Sequence, residues 1–213
     1  MFFIIAAGEN RPELAKRLAG PETEDDVKKT FEQALIEQCA PTLAGVKPAN
    51  LFRFISPRRA YVLSCVESWR RHLEPYGIQI LILKECPLNG SFLIYLYRRK
   101  SMETLVSRPA CASFLAGMGY PRPHQLDGLI ARLSRRICDD REFPHEIGVF
   151  LGYPLCDVIG FIQNKGKNFT CSGYWKAYGN PTEARARFAR YRKCTEIYKK
   201  LFAKGTPVMK LVC

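Results

Sequence analysis

The chain has 213 residues, 47% of them hydrophobic and 25% charged, and carries a formal charge of +13. This composition excludes global disorder, and no apolar run approaches the roughly 20 residues needed to span a bilayer. The opening Met1–Ala7 lacks a basic flank and is shorter than a signal core, so no secretion signal and no membrane association are expected. Nine cysteines stand singly, with no CxxC pair, which removes zinc-ribbon and thioredoxin-type motifs from consideration. Such thiols suit a reducing compartment, so a cytoplasmic location is expected. The positive charge implies an anionic partner, although it also serves simply to keep a protein in solution.

The first 34 residues read as a partly helical N-terminal extension, with a short run to Leu18 and a break at Gly20-Pro21. Residues 35–213 read as one α+β domain. A helix from Thr23 carries Val27, Phe31 and Leu35 on one face and is expected to stop near Pro41, since proline has no N–H for the helical ladder. Leu51–Ser56 suggests a short strand. Arg58–Leu73 is amphipathic, with Val62, Cys65, Val66, Trp69 and Leu73 on one stripe. Ile78–Leu83 and Phe92–Tyr97 follow as two β-rich runs, and Asn89-Gly90 between them signals a hairpin. Both strands are almost continuously apolar, so helices should cover both faces.

Helices are expected over Met102–Ser107, Ala110–Ala116, Gln125–Cys138, Glu146–Leu151 and Leu155–Asn164, then a single strand over Thr170–Tyr178. Gly-Tyr-Pro occurs at 119–121 and again at 152–154, as capping chemistry between helices. The last helix, Thr182–Lys204, opens on Asn180-Pro181-Thr182-Glu183 and closes at Gly205; Ala184, Phe188, Tyr191, Thr195, Tyr198 and Phe202 form its seam. The order predicts an α+β fold: a small, mostly antiparallel sheet with a central hairpin, covered by several helices and a long C-terminal helix.

Six phrases together resemble the bacterial domain-of-unknown-function family 3793: CAPTLAG at 39–45, FPHEIGVFLGYP at 143–154, DVIGFI at 157–162, NKGKN at 164–168, CSGYWKAYG at 171–179 and RYRKC at 190–194. The resemblance covers about Leu35 to Lys204 and brings no established activity or cofactor. What it implies is a bacterial protein with a link to redox or iron metabolism, hence an acidic redox protein as one candidate partner.

The residues themselves point to a site in the closing third. Alternation along Thr170–Tyr178 would place Tyr174, Lys176 and Tyr178 on one face, a pairing of aromatic planes and a cation that suits an anionic, partly aromatic small molecule. The loop Asn164, Lys165, Gly166, Lys167 and Asn168 would close over the anion, with Gly166 as the left-handed helix cap, and His145 could help at a helix start. Glu146 is expected at N3 of that helix, as a capping carboxylate. Cys39 and Cys171 are candidate reactive thiols; a metal site of Cys39, Cys171, Cys194 and His145 is chemically conceivable but no metal is expected. The alternative is a nucleic-acid-binding protein. It would use a helix-turn-helix-like hairpin at 146–162 and the basic last helix, where eight lysines and arginines from Arg185 to Lys204 face only Glu183 and Glu196. Whether the protein is an enzyme is left open.

Overall fold

The computed structural model describes residues 23–121, 126–139 and 142–213. The expected helical run to Leu18 and the break at Gly20-Pro21 lie outside these residues. Helix α1, Glu24–Leu43, starts on a capping box in which the Thr23 hydroxyl accepts from the Asp26 amide and Asp26 accepts from the Thr23 amide. It buries Val27, Phe31, Leu35, Ile36 and Cys39. Contrary to expectation it does not stop at Pro41 but runs two residues further. Pro41 sits in the last turn, where its missing N–H removes a single helical bond. Its carbonyl meanwhile accepts from the Val46 and Lys47 amides, at 2.8 and 2.9 Å, and so closes the loop after the helix.

Three strands, β1 Ala49–Ile55, β2 Ile78–Cys86 and β3 Ser91–Arg98, form an antiparallel sheet in the order β1-β3-β2. The hairpin between β2 and β3 turns at Gly90, which has φ +57°; a Cβ there would lie 2.6 Å from the Ser56 carbonyl oxygen. Glycine is therefore required on two counts, conformation and space. Alternate strand residues face two separate cores. Phe52, Phe54, Ile78, Ile80, Phe92, Ile94 and Leu96 meet α1 and α2, Arg59–Leu73, whose buried stripe is the expected one. Leu51, Leu83, Tyr95 and Tyr97 face the opposite way, toward a helical layer.

That second layer comprises α3 Arg99–Val106, α4 Pro109–Gly117, α5 Leu126–Asp139, the single turn α6 Ile147–Phe150, and α7 Leu155–Gln163. Gly119 and Gly152, the first residues of the two Gly-Tyr-Pro runs, are both left-handed. The long helix α8, Pro181–Ala203, is capped by Asn180, whose side chain accepts from the Thr182 amide at 2.9 Å. Its Ala184, Phe188 and Tyr191 enter the second core, and Tyr198 enters the first. The fold is α+β, and among the described residues no helix is long and apolar enough to cross a membrane.

One expected element is replaced. Instead of a single strand over Thr170–Tyr178 there is a tight hairpin of β4 Cys171–Ser172 and β5 Lys176–Ala177, closed by the Gly173 amide on the Trp175 carbonyl at 3.0 Å. The cause lies at Gly173, which sits flush on the Phe188 ring: a Cβ there would come within 2.3 Å of it. The chain reverses against that ring, so strand alternation no longer decides which side chains share a face.

The sheet and the second layer are joined by the Tyr95 hydroxyl, which is buried and donates to the Phe150 carbonyl at 2.6 Å. Tyr95→Phe strands that carbonyl and is expected to lower unfolding free energy by about 1–3 kcal/mol. Urea denaturation of the two proteins measures it; an unchanged midpoint would show that the contact is dispensable.

Candidate functional site

The β4–β5 hairpin is held by one carboxylate. Asp157 on α7 is buried and accepts from the Trp175 indole N–H at 2.7 Å and from the Tyr178 and Gly179 amides at 2.7 and 2.8 Å. Trp175 is clasped between Tyr153, stacked at 4.7 Å, and Phe188, edge-on at 4.5 Å. Gly160 admits the Tyr178 ring against α7, where a Cβ would stand 2.5 Å from it. These contacts leave only Cys156 and Gln163 of α7 exposed, so this helix offers solvent neither arginine nor lysine. The preceding α6 is a single turn.

The sequence-derived site residues are therefore distributed differently from the expected open face. Tyr174 is half-buried against Phe188 and Tyr191. The Lys176 ammonium donates to the Gly166 carbonyl at 2.7 Å and lies 4.9 Å from the Phe169 ring centre. The Tyr178 hydroxyl is buried without a hydrogen-bond partner among the described residues. His145 lies edge-on to Phe161 at 5.0 Å, and burial pushes its pKa down. His145, Tyr174 and Lys176 do share a pocket with Asp157 and Trp175, but its cavity is about 30 Å³, which is room for one or two waters.

In the 164–168 loop the amides of Asn164, Lys165, Gly166 and Lys167 all bond to backbone carbonyls of 160–164. Gly166 is left-handed as expected, but so are Lys165 at φ +51° and Asn168 at φ +58°. Lys165 takes the position normally given to glycine in such a helix ending. The Asn164 side chain donates to the Gly160 carbonyl at 2.8 Å, and the Asn168 amide approaches the Asn164 side chain at 3.4 Å. The Lys165 and Lys167 ammonium groups and the exposed Asn168 side chain remain to meet a ligand from this loop.

Glu146 stands at the N-cap of α6 and not at N3, and its side chain makes no capping bond there. It is buried, ion-paired with Arg136 at 2.7 Å and accepts from the Tyr120 hydroxyl at 2.8 Å; α6 begins one residue later, so Glu146 is outside its first turn. Cys39 is enclosed in the first core, where burial pushes its thiol pKa up, away from thiolate reactivity. Cys171 is half-buried, its thiol 3.9 Å from the Pro181 carbonyl. No cluster of three or more His, Cys, Asp or Glu able to hold a metal occurs among the described residues.

A larger site lies elsewhere. An open cleft of about 680 Å³ runs between α3, the start of α4, the 46–48 loop and the first half of α8. Lys100, Arg108, Arg187 and Arg190 surround it, with Ser101, Thr104 and the Tyr191 ring, and among the described residues none that lines it is acidic. Sequence reasoning found the arginines of α8 but not Lys100 on α3 or Arg108 at the start of α4. Lys100 and Thr104 stand four residues apart on one face of α3, and Arg108 follows beyond its end, at the N-cap of α4. Next to this cleft is Lys47, 2% exposed, with its ammonium 5.4 Å from the Tyr153 ring centre and 6.0 Å from that of Tyr191. Burial pushes its pKa down to about 8.

The family described as "Protein of unknown function (DUF3793)" matches residues 35–212. The chain belongs to it. Neither the curated proteins nor the solved structures compared with the chain yield a match. The DUF3793 region takes in the whole cleft, the Asp157 cluster and Lys47, while the first turns of α1, with the buried Val27 and Phe31, precede it.

Two outcomes are expected. Asp157→Ala leaves the Trp175 N–H and two amides unpaired and should cost roughly 3 kcal/mol or more. Lys165→Ala, at an exposed side chain, should stay within about 0.5 kcal/mol. Chemical denaturation followed by tryptophan fluorescence compares them, and equal losses would refute the Asp157 role. For Lys47, the folded chain titrates near 8 and the unfolded chain near 10.5, so between these values the unfolded chain binds more protons. Stability contributed at this site therefore rises with pH across that window. Lys47→Met is expected to melt above wild type at pH 7 and to lose that advantage toward pH 10. A gap that is constant with pH would contradict the shift.

Proposed function

We propose that this protein binds an anionic, partly aromatic small molecule in the cleft between α3 and α8. The observation that carries this reading is the convergence of Lys100, Arg108, Arg187 and Arg190 on one open concavity, with no lining carboxylate among the described residues. Among the described residues no carboxylate lies beside these like charges in the cleft, and an anion bound there stabilises the folded chain. The volume falls in the range of small-molecule sites, about 300–1,000 Å³. Tyr191 offers a ring on which a planar group can lie, and Ser101 offers a hydroxyl, whereas the Thr104 hydroxyl donates to the Lys100 carbonyl at 2.9 Å. Lys165, Lys167 and Lys176 are a subsidiary basic patch, and the narrow pocket beside them suits ordered water better than a ligand. We place the protein in the bacterial cytoplasm, in keeping with nine unbridged thiols.

The test is a thermal-shift screen with phosphate, pyrophosphate, nucleotides and flavin mononucleotide, repeated on Arg187→Ala, Arg190→Ala and Lys165→Ala. Each cleft arginine that holds the ligand should cost about 1.5–3 kcal/mol of binding, roughly 10- to 150-fold in affinity. Lys165→Ala should bind like wild type. No stabilising anion, or arginine variants that respond like wild type, would refute the cleft reading. Duplex DNA and an acidic flavoprotein belong in the same experiment. Binding to DNA should be weak and vanish as salt rises; tight, sequence-selective binding at physiological salt would favour the nucleic-acid alternative instead.

A further inference from the structure

Lys47 is the one place in the described structure where a lysine is almost wholly buried. Among the described residues no carboxylate pairs with it and no hydrogen bond to its ammonium occurs; its neighbours are the Tyr153 and Tyr191 rings. Charged neighbours from the packed elements do not compensate it. Helix α1 presents the Cys39 thiol, the turn after α6 presents the Tyr153 phenol, and α8 presents the Tyr191 phenol and Arg190. Burial raises the pKa of all three of these acidic groups, so they are neutral near pH 7. Cation–π attraction from two rings contributes, but a desolvated ammonium ordinarily has a counter-ion.

The location of that missing charge is defined by the chain itself. Val46 and Pro48, on either side of Lys47, both line the basic cleft, and so do Gly152, adjacent to Tyr153, and Tyr191. Lys47 does not itself line the cleft; its ammonium lies behind the wall, 6.0 Å from the centre of the Tyr191 ring that does. The remaining cations, Lys100, Arg108, Arg187 and Arg190, surround the same space. Four cations lining one concavity, with Lys47 buried behind the Tyr191 ring, exceed what a monoanion neutralises.

We infer that the ligand of the cleft supplies the counter-charge of Lys47: a compact di- or polyanion with a planar portion, one acidic group seated at the Val46–Pro48 edge beside the Tyr191 ring. This rests on the cleft reading above and adds the residue that selects the ligand. Lys47 is kept charged in an apolar setting because the bound state, rather than the empty one, completes its pairing. Burial lowers the Lys47 pKa to about 8, so its charge falls between pH 7 and 9.5.

The probe is 1,5-naphthalenedisulfonate, whose two charges are fixed over that pH range, and its fluorescence and calorimetric titration report binding. Wild type should bind at pH 7 and lose roughly tenfold or more in affinity by pH 9.5, as Lys47 gives up its proton. Lys47→Met should bind weakly at both pH values while melting no lower than wild type at pH 7. Lys47→Arg, which keeps a charge that does not titrate, should bind with little dependence on pH. No binding by wild type at pH 7 would sink the cleft reading itself. Binding weakened by Arg187→Ala and Arg190→Ala, but independent of pH and unchanged in Lys47→Met, would leave the cleft and overturn the role of Lys47.

Discussion

The arrangement of the second layer depends on the Asp157 carboxylate. A short hairpin of two rungs is not stable by itself, and this one is fixed by three donors converging on a single buried acceptor group. Two of those donors, the Tyr178 and Gly179 amides, immediately precede Asn180, which caps α8. The direction in which the long helix departs is thereby set by α7. Everything that α8 contributes, the Phe188 and Tyr191 rings as well as Arg187 and Arg190, follows from that one attachment.

The opposite end of the molecule is tied by a cation. Arg98, the last residue of β3, donates to the Thr42 and Leu43 carbonyls at 2.7 Å and also to the Cys213 carbonyl. Helix α1 has no basic residue in its own last turn, so the charge that complements its negative end comes from the sheet. The same helix end leads through Gly45 into the 46–48 loop. A strand residue thus positions the loop that both carries Lys47 and forms one wall of the cleft.

The larger pattern of the fold was legible because it follows from periodicity. Val62, Cys65, Val66, Trp69 and Leu73 recur at helical spacing, and the near-continuous apolar runs of β2 and β3 require cover on both faces; all of this is found. The 170–178 segment was misread because alternation is a property of an extended chain, and Gly173 ends the extension by pressing against a ring contributed from residue 188. Glu146 had the right spacing from Pro144 to serve as a cap, but its partners Arg136 and Tyr120 come from other elements. Lys47 was invisible for the same reason. A lysine between valine and proline carries no local mark of burial, and only the convergence of Tyr153 and Tyr191 encloses it. Helix endings were more readable: Asn180, Pro181 and Gly205 all act as their chemistry dictates.

Helix α8 is shared between the two cores, through Phe188 and Tyr191 on one side of the sheet and Tyr198 on the other. Neither core can therefore open fully while the other keeps α8 in place, and the two should come apart in one cooperative step. A molecule bridging Arg187 and Arg190 on α8 to Lys100 and Arg108 across the cleft would act as a staple between that shared helix and the sheet-side layer. Occupancy would then slow amide exchange in both cores, including the α1–α2 core that the ligand never touches.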